Sequence, residues 1–166
     1  MIAILLATVG CTMRTPLIRA VERRDLAGVN RLLDAGANIN KPSSGKWSAS
    51  PLYWATYNCM PDMVDLLLKR GASINVPAPS GGTLLLAASA CGEEMHPVVK
   101  SLIEKGDKVN AQDNDQGWTP LISASYYNAP KIAKTLLKGG ADVNIKAKDG
   151  RRSEEHTSEL QSPVVI

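Results

Sequence analysis

Residues 119–144 decide the fold: TPLISA at 119–124 is followed, one helix later, by LLKGGADVN at 136–144. The same two blocks occur three times upstream. They are TPLIRA and VNRLLDAGANIN at 15–20 and 29–40, SPLYWA and LLLKRGASIN at 50–55 and 66–75, and GTLLLA and LIEKGDKVN at 82–87 and 102–110. The openings are 35, 32 and 37 residues apart. Such a period predicts a repeat architecture, in which each unit buries its apolar face against the next.

Each block has a structural role. Thr or Ser before Pro is an N-cap followed by Pro at the first helical position, where its missing N–H costs nothing. The paired leucines form the apolar stripe of a second helix. The glycines that follow this helix suit a left-handed C-cap, and they are Gly36, Gly71, Gly106 and Gly140. Each repeat is therefore predicted to be a pair of helices.

The pattern resembles the ankyrin-repeat family over residues 15–151. The resemblance implies an all-α solenoid of four helix-turn-helix repeats joined by extended hairpin loops, with repeats at about 15–47, 48–79, 80–116 and 117–151. The third repeat opens at Gly82 in this alignment, lacks the Pro after its cap and carries about three extra residues within 92–97. It is predicted to be the least regular.

The composition favours a folded binding protein over other classes. A hydrophobic fraction of 44% can build a core, and 19 basic residues are scattered against 16 acidic ones, so no nucleic-acid partner is predicted. No phosphate loop, His-Glu-x-x-His, Cys-x-x-Cys or serine-nucleophile motif is present. We expect no catalytic residues, metal or cofactor, and a monomer that is not an enzyme. His96 is interpreted as a solvated side chain of the extra loop.

The resemblance implies that a protein partner binds the hairpin tips and the first helices, which line a concave face. The Trp and Tyr residues fall there, and such side chains dominate interface energetics. The predicted partner-binding residues are Trp47 and Trp118 at loop tips, Trp54, Tyr57, Tyr126 and Tyr127 on first helices, and Arg19 and Arg23 as polar contacts. The alternative is that Tyr53 and Trp54 only fill space between repeats.

Cys59 and Cys91 are predicted to be unpaired thiols. They fall near the same position of adjacent repeats, which should be about 8–10 Å apart. A disulfide needs Cα atoms within about 7 Å.

Residues 1–11 have two interpretations. The apolar run ending in Gly10-Cys11 resembles the end of a bacterial lipoprotein signal peptide, in which Cys11 would carry the lipid. This interpretation is favoured and implies a periplasmic or outer-membrane location. Alternatively, the segment is a helix that covers the first repeat, in a cytoplasmic protein.

The tail at 152–166 departs from the repeat pattern. Residues 149–151 lead into a fifth repeat, whose Thr-Pro-Leu is due at 152. Instead, RSEEHTSELQS at 152–162 resembles the in-frame translation of a common sequencing-library adapter. The tail is predicted to be artefactual, with further repeats in the natural protein.

Three functions remain open. The first is a protein-interaction module, possibly tethered to an envelope by Cys11. The second is an inhibitor or immunity-type protein that silences one enzyme. The third is the non-catalytic part of a longer enzyme.

Overall fold

The computed structural model describes residues 14–45, 48–76 and 78–152. Four helix pairs follow one another: α1 (Pro16–Glu22) with α2 (Leu26–Asp34), α3 (Pro51–Tyr57) with α4 (Pro61–Lys69), α5 (Leu84–Ser89) with α6 (His96–Glu104), and α7 (Pro120–Tyr126) with α8 (Pro130–Lys138). The prediction of four stacked helix pairs is confirmed. None of the helices in these ranges is both long and apolar enough to cross a membrane.

Each first helix begins at a hydroxyl cap. The side chains of Thr15, Ser50 and Thr119 accept hydrogen bonds from the N–H three residues later, at 3.1–3.2 Å. Proline follows each of these caps. The caps satisfy an N–H that has no partner within the helix.

The stack bends toward its first helices. The helices α1, α3, α5 and α7 pack on one another in order, whereas successive second helices make fewer contacts. The first helices therefore line the concave side. One continuous core runs between the two layers, and its fully buried residues include Val29, Leu67, Leu85, Leu102 and Leu136.

The predicted glycine C-caps are confirmed. Gly36, Gly71, Gly106 and Gly140 have φ between 83° and 90°, a region that glycine adopts without a Cβ penalty.

The cap of the third repeat is Thr83, so the alignment that placed it at Gly82 is wrong by one residue. Thr83 Oγ1 accepts from the Leu86 N–H at 3.1 Å. In the other repeats a positive-φ residue lies nine residues after the cap, at Arg24, Cys59 and Asn128. Gly92, with φ 90°, takes this place when Thr83 is the cap.

The third repeat is the least regular, as predicted. The extra residues form a 3-10 helix, Glu93–Met95, directly before α6. Met95 is fully buried, and Glu93 Oε1 accepts a hydrogen bond from the Lys131 N–H of α8 at 2.8 Å. The insertion thereby joins the third repeat to the fourth.

The prediction of a solvated His96 is wrong. His96 is the first residue of α6 and is half-buried. Its Nε2 lies 2.8 Å from Thr135 Oγ1 on α8. Sequence spacing could not show this contact, because it depends on how the insertion packs against the next repeat.

The prediction of two unpaired thiols is also wrong: Cys59 and Cys91 form a disulfide between the second and third repeats, with Cα atoms 5.5 Å apart. The one-residue shift of the cap is the reason. Cys91 lies eight residues after Thr83, whereas Cys59 lies nine residues after Ser50. The two are not equivalent positions, so the spacing between equivalent positions does not apply.

The recurrent asparagines link successive repeats. Asn40 Oδ1 accepts from the Ser73 N–H at 2.9 Å, and Asn110 Oδ1 accepts from the Asp142 N–H at 2.8 Å. The loops that follow double back on themselves, as shown by the bond from the Ser43 N–H to the Ala49 carbonyl at 3.0 Å. No β-strand forms in the part of the chain that the structure describes.

Candidate functional site

The seventh and eighth residues after each cap lie at the end of a first helix on the concave side. They are Glu22 and Arg23 in the first repeat, Tyr57 and Asn58 in the second, Ala90 and Cys91 in the third, and Tyr126 and Tyr127 in the fourth. We call this set the concave row. It is aromatic in the second and fourth repeats and small in the third.

The aromatic residues of the second repeat form one cluster. Tyr57 is 56% exposed, and its ring stacks on Tyr53 with centroids 6.1 Å apart. Trp54 is half-buried against the core, and the Arg14 guanidinium lies 4.9 Å from its ring centroid. Tyr53 and Trp54 are thus partly buried against the core, while Tyr57 is largely exposed.

The fourth repeat carries a second cluster. The ring centroid of Tyr126 lies 4.8 Å from that of Trp118 and 5.1 Å from that of Tyr127. Tyr126 and Tyr127 are 48% and 50% exposed. The Arg151 guanidinium lies over this cluster, 5.8 Å from the centroid of the Trp118 ring and 5.9 Å from that of the Tyr126 ring. Such packed arrangements are typical of aromatic pairs and of cations over aromatic rings.

Burial, together with the nearby Tyr57 and Asp113, raises the pKa of Tyr53 to about 12. The hydroxyl therefore stays protonated at neutral pH. Tyr53 packs against the core and stacks on Tyr57.

The predicted site residues are only partly brought together. Tyr57, Tyr126 and Tyr127 lie in the concave row. Arg23, the C-cap of α1, is exposed and lies in the row as well, whereas Arg19 is exposed on α1 outside the row. Trp47 and Cys11 lie outside the described residues.

The placement of Trp118 at a loop tip is wrong. It directly precedes the cap Thr119, is half-buried and packs on Tyr126. The exposed tip of that loop is the turn at 114–116. The indole lies at the base of the loop, where it packs on the Tyr126 ring of α7. The sequence does not show this contact.

Sequence reasoning missed the two arginines that cover the tryptophans. Arg14 pairs with Glu22, and Arg151 pairs with Asp149 through Nη2 and Oδ2 at 2.5 Å. The pairing with Arg151 lowers the pKa of Asp149. No recurring motif marks either arginine, because each stands outside the repeated blocks. Across 14–45, 48–76 and 78–152, no group of three or more His, Cys, Asp or Glu side chains could hold a metal ion.

Comparison with protein families gives the same architecture. The family profile described as "Ankyrin repeats (3 copies)" matches residues 1–78 and 52–147. The chain is an ankyrin-repeat protein. Such repeats generally serve as protein–protein interaction modules.

Relatives of this ankyrin-repeat protein come from mammals and bacteria. It is 37% identical over 90 residues to "Ankyrin repeat and SAM domain-containing protein 6" of Rattus norvegicus, covering 54% of this chain and 10% of the relative. It is 31% identical over 132 residues to "Phosphocholine transferase AnkX" of Legionella pneumophila, covering 79% of this chain and 14% of the relative. It is 33% identical over 126 residues to the human "Ankyrin repeat and SOCS box protein 6", covering 72% of this chain and 29% of the relative. The chain thus spans less than a third of each of these curated relatives.

Proposed function

We propose that this ankyrin-repeat protein holds a protein partner on its concave row. The supporting observation is the exposure of Tyr57, Tyr126 and Tyr127 on one side of the stack. Exposed tyrosines supply large, rigid contact areas and are enriched among the residues that dominate binding energy. Arg23 extends the row onto the first repeat.

Replacing Tyr57 and Tyr126 with alanine should abolish capture of the partner while lowering the thermal midpoint by no more than about 10 °C, since each change removes aromatic contacts of about 0.5–1.5 kcal/mol but opens no cavity in the core. Capture is measured by pull-down from the source organism's extract with the immobilised chain. The matched control replaces Leu26 and Leu137, which are 41% and 47% exposed on second helices. Unchanged capture in the tyrosine variant, or loss in the leucine variant, would contradict the proposal.

Two other uses of the same surface are distinguished by what is captured. An inhibitor would silence an enzyme, so the captured partner would lose activity when the chain is added. In a longer enzyme, the repeats would present a substrate to a catalytic domain encoded in the same gene. The Legionella relative supports this second use, since it is named a transferase and the present chain covers only 14% of it. Sequencing the full-length transcript shows whether a catalytic domain is encoded with the repeats, and this separates the longer enzyme from the inhibitor.

Attachment to a bacterial envelope through Cys11 remains part of the proposal. The Cys59–Cys91 disulfide supports it, since structural disulfides persist mainly in oxidising compartments such as the periplasm. Palmitate labelling of the chain expressed in bacteria should be lost in Cys11→Ala. A soluble, unlabelled chain would instead favour the cytoplasmic alternative.

A further inference from the structure

We propose that the first repeat binds an acidic segment of a protein partner in an arginine-lined pocket, on the face that points away from the second repeat. The inference goes beyond the proposed function, because this pocket adjoins the concave row and shares only Arg23 with it.

The pocket lies between α1 and α2 and has a volume of about 400 Å³. Arg19 and Arg23 line it from α1, one helical turn apart, and Arg31 lines it from α2. All three arginines are exposed. Buried Ala20 and Gly28 and half-buried Leu32 also line the pocket, so its cationic groups stand next to a small aliphatic surface.

The other repeats show which way this face points. Arg19 takes the helix position that is Trp54 in the second repeat, and Trp54 lies under a guanidinium from the start of the first repeat. Arg31 takes the position of Thr135 in the fourth repeat, and Thr135 contacts His96 of the third. Both positions therefore contact the preceding repeat further along the stack. In the first repeat they carry arginine and line an open pocket instead.

The pocket has an excess of positive charge. No salt bridge or side-chain hydrogen bond joins Arg19 or Arg23 to another residue that the structure describes. Asp25 is the carboxylate of the lining. Its Oδ1 accepts from the Gly28 N–H at 2.7 Å and caps α2, while its Oδ2 lies 3.9 Å from Arg31 Nη2. An exposed ion pair at that distance contributes little, so Asp25 offsets at most one of the three guanidinium groups.

Charge complementarity identifies the occupant. Residues 1–13 contain no Asp or Glu, so the chain before α1 brings no carboxylate to the pocket. An apolar occupant would bury guanidinium groups without partners, which is costly. Carboxylates pair with arginine through charge-assisted and often bidentate hydrogen bonds. The pocket therefore fits a protein segment rich in Asp and Glu.

The test is fluorescence anisotropy of a labelled oligoglutamate peptide titrated with the full, oxidised chain. We expect saturable binding, which an oligoglutamine peptide should not show. Replacing Arg19, Arg23 and Arg31 together with glutamine should weaken binding about tenfold or more, and added salt should weaken it as well. Replacing them with lysine keeps the charge but removes the bidentate geometry, so it should still weaken binding severalfold.

The matched control replaces Lys131, Lys134 and Lys138, which are exposed on α8, with glutamine and changes the net charge by the same amount. Its affinity should stay within about twofold, because exposed charges far from the pocket are screened. Thermal unfolding checks that each variant is folded.

Equal weakening in the arginine and lysine variants would show unspecific attraction to a basic chain and would overturn the inference, as would the absence of saturable binding. Phosphatidylserine vesicles that bind in an arginine-dependent way, when the peptide does not, would assign the pocket to a membrane surface and overturn it too. The pull-down with the tyrosine variant tests the concave row separately. Failure of the peptide to bind therefore leaves the proposed function standing.

Discussion

Replacing Cys59 and Cys91 with serine should lower the free energy of unfolding by about 3.5 kcal/mol, the chain-entropy value for a separation of this size. The two cysteines are 32 residues apart and join the second repeat to the third. For a chain of this size, the thermal midpoint should fall by roughly 10 °C. The cross-link acts mainly by restricting the unfolded chain, so the folded structure should change little.

The measurement is thermal unfolding followed by circular dichroism, with and without dithiothreitol, in a background in which Cys11 is serine. Reductant should lower the midpoint of the parent to that of the double-serine variant and should leave the latter unchanged. Alkylation of the non-reduced parent, followed by mass spectrometry, should label no thiol. Two labelled thiols and a midpoint insensitive to reductant would show that the bond does not form.

Leu136→Ala should cost about 2–5 kcal/mol, because it opens a cavity in the core. The side chain is fully buried in α8, which packs on both α6 and α7. The adjacent Leu137 is 47% exposed and gives a matched control in the same helix. Leu137→Ala should change stability by no more than about 0.5 kcal/mol.

Urea unfolding tests this pair, since a change in midpoint at constant slope reports stability alone. The expected result is a large shift for Leu136→Ala and almost none for Leu137→Ala. Equal shifts would contradict the assignment of Leu136 to the buried face of α8 and of Leu137 to its exposed face. A lower slope for Leu136→Ala would show that the fourth repeat unfolds separately.

Much of the fold is readable from the sequence because its determinants are local. Thr119 before Pro120 begins a helix through bonds within one turn. Gly140 ends a helix by taking a positive φ of 90°, which residues with a Cβ rarely adopt. Because these signals recur in four copies, they establish the repeat period, which a single copy could not do. The exposed tyrosines of the candidate site follow from the same register.

The third repeat contains features that could not be predicted from local sequence. Its cap lies at Thr83 and not at Gly82, and this shift moves Cys91 out of register with Cys59. His96 contacts Thr135 only because a short 3-10 helix carries it against α8. An insertion of a few residues has several possible paths, and packing against the neighbouring repeat selects one of them.

The period, the helix pairs, their caps and the apolar side of each helix could all be predicted from the sequence, since they depend on residues within one or two turns of one another. The disulfide and the covering of Trp54 and Trp118 by Arg14 and Arg151 become visible in the folded structure alone. Each of these joins residues more than thirty positions apart in the sequence. Their distances are set by how the repeats stack, which no stretch of sequence within a single repeat specifies.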